Sequence, residues 1–189
     1  EPTITLKTDA SKLGWGGGAQ DLSTGGLWSV GEAAEHINYL EMLAVFLCLK
    51  SFRDFLYGKH VMVKVDNTTA ECVIRQMGTS HGNKLNTLAK AIWQWCTEHN
   101  IWITMGHIPG QDNVKADKES RVFNLNKEWC LNNSIFKLGC QKLALTPNID
   151  LFASRINHQL KPYVSYRPDP EAIAVNAFHI SWTQYSFYA

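Results

Sequence analysis

The sequence predicts an α/β fold over residues 1–122: a mixed five-stranded sheet flanked by helices, with a separate α+β extension over residues 123–189. Three observations carry this. Short β-branched segments alternate apolar and polar residues, longer segments repeat apolar residues at helical spacing, and the two kinds follow one another along the chain. Beyond Arg121 the periodic pieces shorten, and four of the six prolines fall there.

The opening segment, "ITLKTDA" (4–10), alternates and reads as a strand with Asp9 at its end. "LGWGGGAQD" and "GLWSV" predict two further strands around a turn in "LSTGG", giving a meander. "INYLEMLAVFLCLKSFRDFL" places Leu40, Leu43, Val45, Leu47, Phe52 and Leu56 around a mostly buried helix, with Asn38 as its cap and Gly58 as its stop. "HVMVKVDN" is a strand ending at Asp66, and "TTAECVIRQM" resumes helical spacing. "KLNTLAKAIWQWCTEH" is the clearest amphipathic helix, through Leu85, Leu88, Ile92 and Trp95. "IWITMGHI" alternates as a strand, "PGQDN" turns, and "VKADKESR" forms a helix behind Asn113 as its cap. Residues 1–122 are expected to be one domain, and residues 123–189 an extension packing on it.

A hydrophobic content of 45% with 19% charged residues excludes long disorder. No stretch approaches the roughly 18 apolar residues that span a bilayer, and "EPTITLKTDAS" lacks the basic and apolar regions of a signal peptide. The expectation is a soluble intracellular protein without membrane partners. A start on Glu1 just ahead of a strand suggests a piece of a longer chain. The five cysteines, Cys48, Cys72, Cys96, Cys130 and Cys140, form no CxxC pair or zinc spacing and read as reduced thiols.

A net charge of +1 gives no basic footprint for nucleic acid. Its distribution says more: residues 1–122 hold 12 Lys and Arg against 13 Asp and Glu. With four of those acids neutralised by metal, the balance becomes 12 against 9, a net of +3.

The placement of the acids is the informative pattern. Asp9 and Asp66 end two strands, each two residues after a lysine in "LKTD" and "VKVD". Glu41 interrupts an apolar helix, and Asp117 lies in the helix after the last strand. Taken singly, Asp9 could begin a turn, Asp66 could cap a helix, and Asp117 could be a solvated face; a buried Glu41 needs a partner. Together, acids at strand ends converge where the strands are adjacent, and their mutual repulsion calls for a hard cation. Without His or Cys ligands at zinc spacing, that cation is Mg²⁺ or Mn²⁺. Two such ions about 4 Å apart suit phosphodiester hydrolysis.

These placements resemble type 1 ribonuclease H, through "TDAS" (Asp9), "NYLEMLAV" (Glu41), "VKVDNTTA" (Asp66) and "HIPGQDNVKADKESR" (Asp117), over about residues 3–122. The "HIPG" and "AD…SR" tail is similar to retrotransposon polyproteins of gypsy-like and especially DIRS-like type, where the domain follows a reverse transcriptase. The departure is Lys118 and Glu119 ahead of "SR", with Glu119 expected to face solvent.

The resemblance implies an RNase H-like fold and an endonuclease that cuts the RNA strand of RNA/DNA hybrids with two Mg²⁺ or Mn²⁺ ions. Asp9 would bridge the ions, Asp117 would help hold the one that activates water, and Glu41 and Asp66 would complete the other. His107 occupies the place of the family's mobile histidine, with the alternative of a strand-end histidine bonded to backbone. Ser11 and Asn67 are candidates for 2′-hydroxyl contacts; Lys84, Lys115 and Arg121 are candidates for phosphate contacts, and His81 is a loop residue. In the extension, "IDLFASRINHQL" and "NAFHISW" resemble the continuation of DIRS-like polyproteins, and Lys127, Lys137, Arg155 and Lys161 could widen the hybrid-binding face. The implied partners are the hybrid and an upstream reverse transcriptase; a monomer in cytoplasm or nucleus is expected. Two other readings remain open: a domesticated module that binds without cutting, and a DNA nuclease of resolvase or transposase type on the same fold.

Overall fold

The computed structural model describes residues 1–80, 82–123 and 129–189. His81 and Lys127 lie outside the described residues. The chain forms two compact units, Glu1–Phe123 and Asn124–Ala189.

The first unit is a five-stranded mixed sheet in the order β3-β2-β1-β4-β5, from β1 (Ile4–Ala10), β2 (Gly14–Ala19), β3 (Leu22–Leu27), β4 (His60–Val65) and β5 (Trp102–His107). The pairs β1–β2 and β2–β3 are antiparallel, and β1–β4 and β4–β5 are parallel. Parallel neighbours need crossovers, which the helices supply. From β1 to β4 the chain passes through α1 (Val30–Ala33), α2 (Ile37–Ser51) and α3 (Arg53–Leu56); from β4 to β5 it passes through α4 (Thr68–Arg75) and α5 (Asn83–Glu98). Helix α6 (Val114–Arg121) follows the last strand. The α/β fold expected from the sequence is therefore present.

Helix α2 buries nine residues, from Leu40 to Leu49, because it is apolar on nearly every side and lies within the core. Helix α5 buries only one stripe, through Leu88, Ala89, Ile92 and Cys96. Val61, Val63 and Val65 bury one face of β4, as strict alternation dictates. All five cysteines are free, and among the described residues no helix is long and apolar enough to cross a membrane.

Four local expectations are corrected. The third strand runs Leu22–Leu27 rather than through "GLWSV", because the chain reverses at Gln20–Asp21, with Gln20 at φ 53°. Gly25 and Gly26 thus lie inside a strand. The cap of α2 is His36, whose Nδ1 accepts from the Asn38 amide, leaving the Asn38 side chain to accept from Asn67. The long helix breaks at buried Phe52. Asn113 precedes α6 without a capping hydrogen bond; its Nδ2 donates instead to the Thr8 carbonyl at 2.9 Å, tying α6 to β1.

The second unit contains α7 (Asn133–Lys142) and the parallel two-residue pairs β6 (Ile149–Asp150) with β9 (Phe187–Tyr188) and β7 (Val164–Ser165) with β8 (Ala174–Val175). Its small core comprises Ile149, Leu151, Val164 and Ala177. Asp169 organises the neighbouring loop, accepting from the Tyr163 hydroxyl at 2.6 Å and from the amides of Glu171 and Ala172. Lys137 is exposed, Arg155 is half-buried, and Lys161 is ion-paired with Glu171.

Candidate metal centre

The two central parallel strands place the first pair of acids. Lys7 of β1 pairs with Lys64 of β4, so Asp9 and Asp66, each two residues further on, fall level at the carboxyl ends. The repeated spacing in "LKTD" and "VKVD" therefore corresponds to a shared register. Helix α2 packs against β1 and delivers Glu41 from the side. Asp9 is 3% exposed and Glu41 4%, while Asp66 is half-buried.

One carboxylate oxygen from each of Asp9, Glu41 and Asp66 lies within 4.8 Å of the others. Burial pushes the Glu41 carboxyl up to about 8, and the charges of Asp9 and Asp66 add to this; the Ala10 amide and Arg121 act in the opposite direction. Asp9 is raised to about 6, again chiefly by burial, against the lowering effect of a hydrogen bond from Ser120. Glu41 Oε2 is buried and has no hydrogen-bond partner. A buried acceptor without a donor costs free energy unless a cation satisfies it. An all-oxygen donor set with an orphaned carboxylate oxygen fits a hard divalent ion such as Mg²⁺ or Mn²⁺.

Asp117 lies outside the three-carboxylate group. It sits on α6 with its side chain 44% exposed, and its Oδ1 accepts from Arg121 Nε one turn along the helix. Its charge nevertheless reaches Asp9, whose carboxyl it helps to raise. His107 ends β5 in an exposed position, its Nε2 3.2 Å from the Asp66 carbonyl. This is the backbone bond of a strand-end histidine, made to the residue that carries one of the clustered acids. The following "HIPG" turn brings Gly110 against the cluster: a Cβ there would lie 3.1 Å from Asp66 Oδ2.

The candidate substrate contacts are already engaged within the chain. The Ser11 hydroxyl donates to the Ser120 carbonyl at 2.6 Å and accepts from the amides of Leu13 and Gly14. Asn67 caps α4 through the Ala70 amide and donates to Asn38. Lys84 pairs with Glu35 at 2.6 Å, and Lys115 donates to the Gln20 carbonyl at 3.1 Å. Arg121 is the partner of Asp117.

The sequence reading missed the means by which α6 reaches the sheet. A Cβ on Gly16 would lie 2.5 Å from Glu119 Cβ and 2.6 Å from the Ser120 amide nitrogen, and one on Gly25 would lie 2.8 Å from the Glu119 carbonyl oxygen. Glycines inside strands signal such a close approach; "GWGGG" is a strand as expected, whereas the glycines of "LSTGG", expected in a turn, belong to β3. Glu119 is corrected accordingly: it is half-buried, with its Cβ over Gly16 instead of facing solvent. Ser120, fully buried beside Asp9, was also missed.

No protein-family model matches the chain. The enzymatic polyproteins of Cauliflower mosaic virus strains D/H and Strasbourg are each 28% identical over 138 residues, covering 66% of this chain and 20% of the viral protein. The chain thus spans about a fifth of the length of these curated relatives. Among solved structures, RNase H1 from the halophilic archaeon Halobacterium salinarum NRC-1 is similar with a TM-score of 0.50 at 18% identity, over 61% of this chain and 92% of that one. LC11-RNase H1 in complex with an RNA/DNA hybrid gives 0.54 at 18% identity, over 62% and 93%. The fold of the chain is that of ribonuclease H, a mixed five-stranded sheet flanked by helices.

Proposed function

We propose that the chain is a metal-dependent endoribonuclease that cleaves the RNA strand of RNA/DNA hybrids. The observation that carries this reading is the convergence of Asp9, Glu41 and Asp66 at the carboxyl ends of the central strands, with Glu41 Oε2 buried and unpartnered. The ribonuclease H fold and the hybrid bound by LC11-RNase H1 support it.

Asp9, Glu41, Asp66 and Asp117 would hold two Mg²⁺ or Mn²⁺ ions, which when bound lower the pKa of water and stabilise charge on the leaving oxygen. Asp9 would be the central ligand. Residues of the chain do the rest. Burial around Asp9 and Glu41 excludes competing water, and His107 at the rim can accept or return a proton at the departing strand. Ser11, Asn67, Lys84, Lys115 and Arg121 would meet hybrid by exchanging their present partners for 2′-hydroxyls or phosphates. The viral polyprotein relatives support a place within a polyprotein; its DIRS-like or gypsy-like type and an upstream reverse transcriptase rest on the resemblance of the "HIPG" and "AD…SR" tail. Within that reading, Lys137, Arg155 and Lys161 of the second unit are further candidates for phosphate contacts. The protein acts as a monomer in the cytoplasm or nucleus.

The test is a panel of labelled RNA/DNA hybrid, duplex DNA and branched DNA, each with Mg²⁺ or Mn²⁺, alongside Asp66→Asn. Cleavage of the RNA strand alone, leaving 5′-phosphates and lost in Asp66→Asn, is expected. Hybrid binding without cleavage would favour a non-cutting module, and cleavage of duplex or branched DNA would favour a DNA nuclease.

A further inference from the structure

Ser120 is fully buried, and both its backbone and its side chain are committed to the end of β1. Its carbonyl accepts from Ser11 Oγ at 2.6 Å, two residues beyond Asp9. Its own hydroxyl faces two acceptors, Asp9 Oδ2 and the Asp117 carbonyl at 2.9 Å. A hydroxyl has one proton to give, and a hydrogen bond to an ionised carboxylate is roughly twice as strong as one to a neutral carbonyl. The ionised Asp9 therefore takes it. This contact exists because Gly16 lies under the helix: a Cβ there would stand 2.6 Å from the Ser120 amide nitrogen and force α6 outward.

We propose that Ser120 is a positioning residue that fixes the rotation of the Asp9 carboxyl group and thereby sets the affinity of the metal centre. This rests on the reading of Asp9, Glu41 and Asp66 as metal ligands. With one Asp9 oxygen held by Ser120, the carboxyl plane cannot turn freely, and its remaining lone pairs stay open to a cation. Because Ser120 follows Asp117 by three residues, it lies on the same face of α6. One short helix thus carries a candidate ligand and the tether of another, and the docking of α6 couples the two.

The experiment is calorimetric titration of metal-free protein with Mn²⁺, with the metal-induced rise in Tm as a parallel readout. The variants are Ser120→Ala, Ser120→Cys, which fills the site with a poor donor, and Ser120→Thr, which keeps a hydroxyl. Groups that orient a metal ligand are typically worth 10–100-fold in affinity. We expect Mn²⁺ to bind roughly 10-fold more weakly or worse in the Ala and Cys variants, and Thr to restore most of the loss. A merely structural role would lower the metal-free Tm of Ser120→Ala and leave its Mn²⁺ affinity at the wild-type value, which overturns the proposal while the metal-site reading stands. Absence of Mn²⁺ binding to wild type overturns both.

Discussion

The inner acids and Asp117 are held in contrasting ways. Asp9 and Asp66 end the two central parallel strands, and Glu41 sits on a helix buried in the core, so their spacing follows from the register and packing of the main body. Asp117 rides on an eight-residue helix laid over the β2–β3 hairpin, half exposed, and already paired with a cation of its own helix. The trio is pressed together against its own repulsion; Asp117 is solvated and neutralised. A metal would relieve strain at the trio, whereas at Asp117 it would compete with Arg121.

The severest way to break this arrangement is to disturb the seat of α6. Gly16→Val would drive a branched side chain into the backbone of Glu119 and Ser120. Overpacking of this kind costs about 3 kcal/mol, to be measured by denaturant unfolding. The damage is expected to be local to one side of the comparison. Hydrogen exchange should show α6 amides losing protection while β1 and β4 keep theirs; uniform loss across the sheet would contradict the separate attachment of the two parts.

A second perturbation addresses the trio alone. The carboxyls of Asp9 and Glu41 ionise near 3.8 and 4.5 when free, but hold their protons to about 6 and about 8 in the metal-free fold. Between those limits the native state binds more protons than the unfolded one, so stability falls as pH rises from about 4 to about 8. Glu41→Gln removes the larger contribution and should raise metal-free stability by about 2 kcal/mol at pH 8, the scale on which relief of a buried charge is felt. Saturating Mn²⁺ should flatten the slope in wild type. A wild-type profile that rises across this interval without metal would refute the account of the trio as mutually repelling.

The legibility of these two parts in the sequence also differs. Strand β1, helix α5 and the level placement of Asp9 and Asp66 could be read directly, since alternation, amphipathic spacing and the repeated Lys-x-Asp are local patterns. Glu41 was legible as a polar residue in an apolar helix. The hairpin was misplaced because Gln20, with no glycine at its position, takes the left-handed turn conformation, while the glycines nearby serve the approach of α6. Ser120 could not be read, because its partners Ser11 and Asp9 lie 109 and 111 residues away and nothing local marks the pairing. His36 replaced Asn38 as a cap through a ring nitrogen, a less common acceptor for that position.

The smallest expected effect sharpens the other side of the comparison. Arg121 and Asp117 form an ion pair one helical turn apart with both side chains about half exposed. Exposed pairs are worth little, because water and salt screen them and two side chains must be ordered. Arg121→Ala should therefore change the stability of the metal-free protein by less than about 0.5 kcal/mol, measured by denaturant unfolding, with the difference vanishing in 1 M salt. Its consequence for the metal centre runs in two directions. Losing Arg121 frees the Asp117 carboxylate for a cation, but it also removes a positive charge that favours the ionised forms of Asp9 and Glu41. Arg121 exerts only a weak charge effect on both acids, whereas its contact with Asp117 is direct. Release of Asp117 therefore prevails, and Mn²⁺ affinity in Arg121→Ala should rise modestly at low salt. A fall in affinity would instead place Arg121 with the trio, as the cation that holds its charges tolerable before metal arrives.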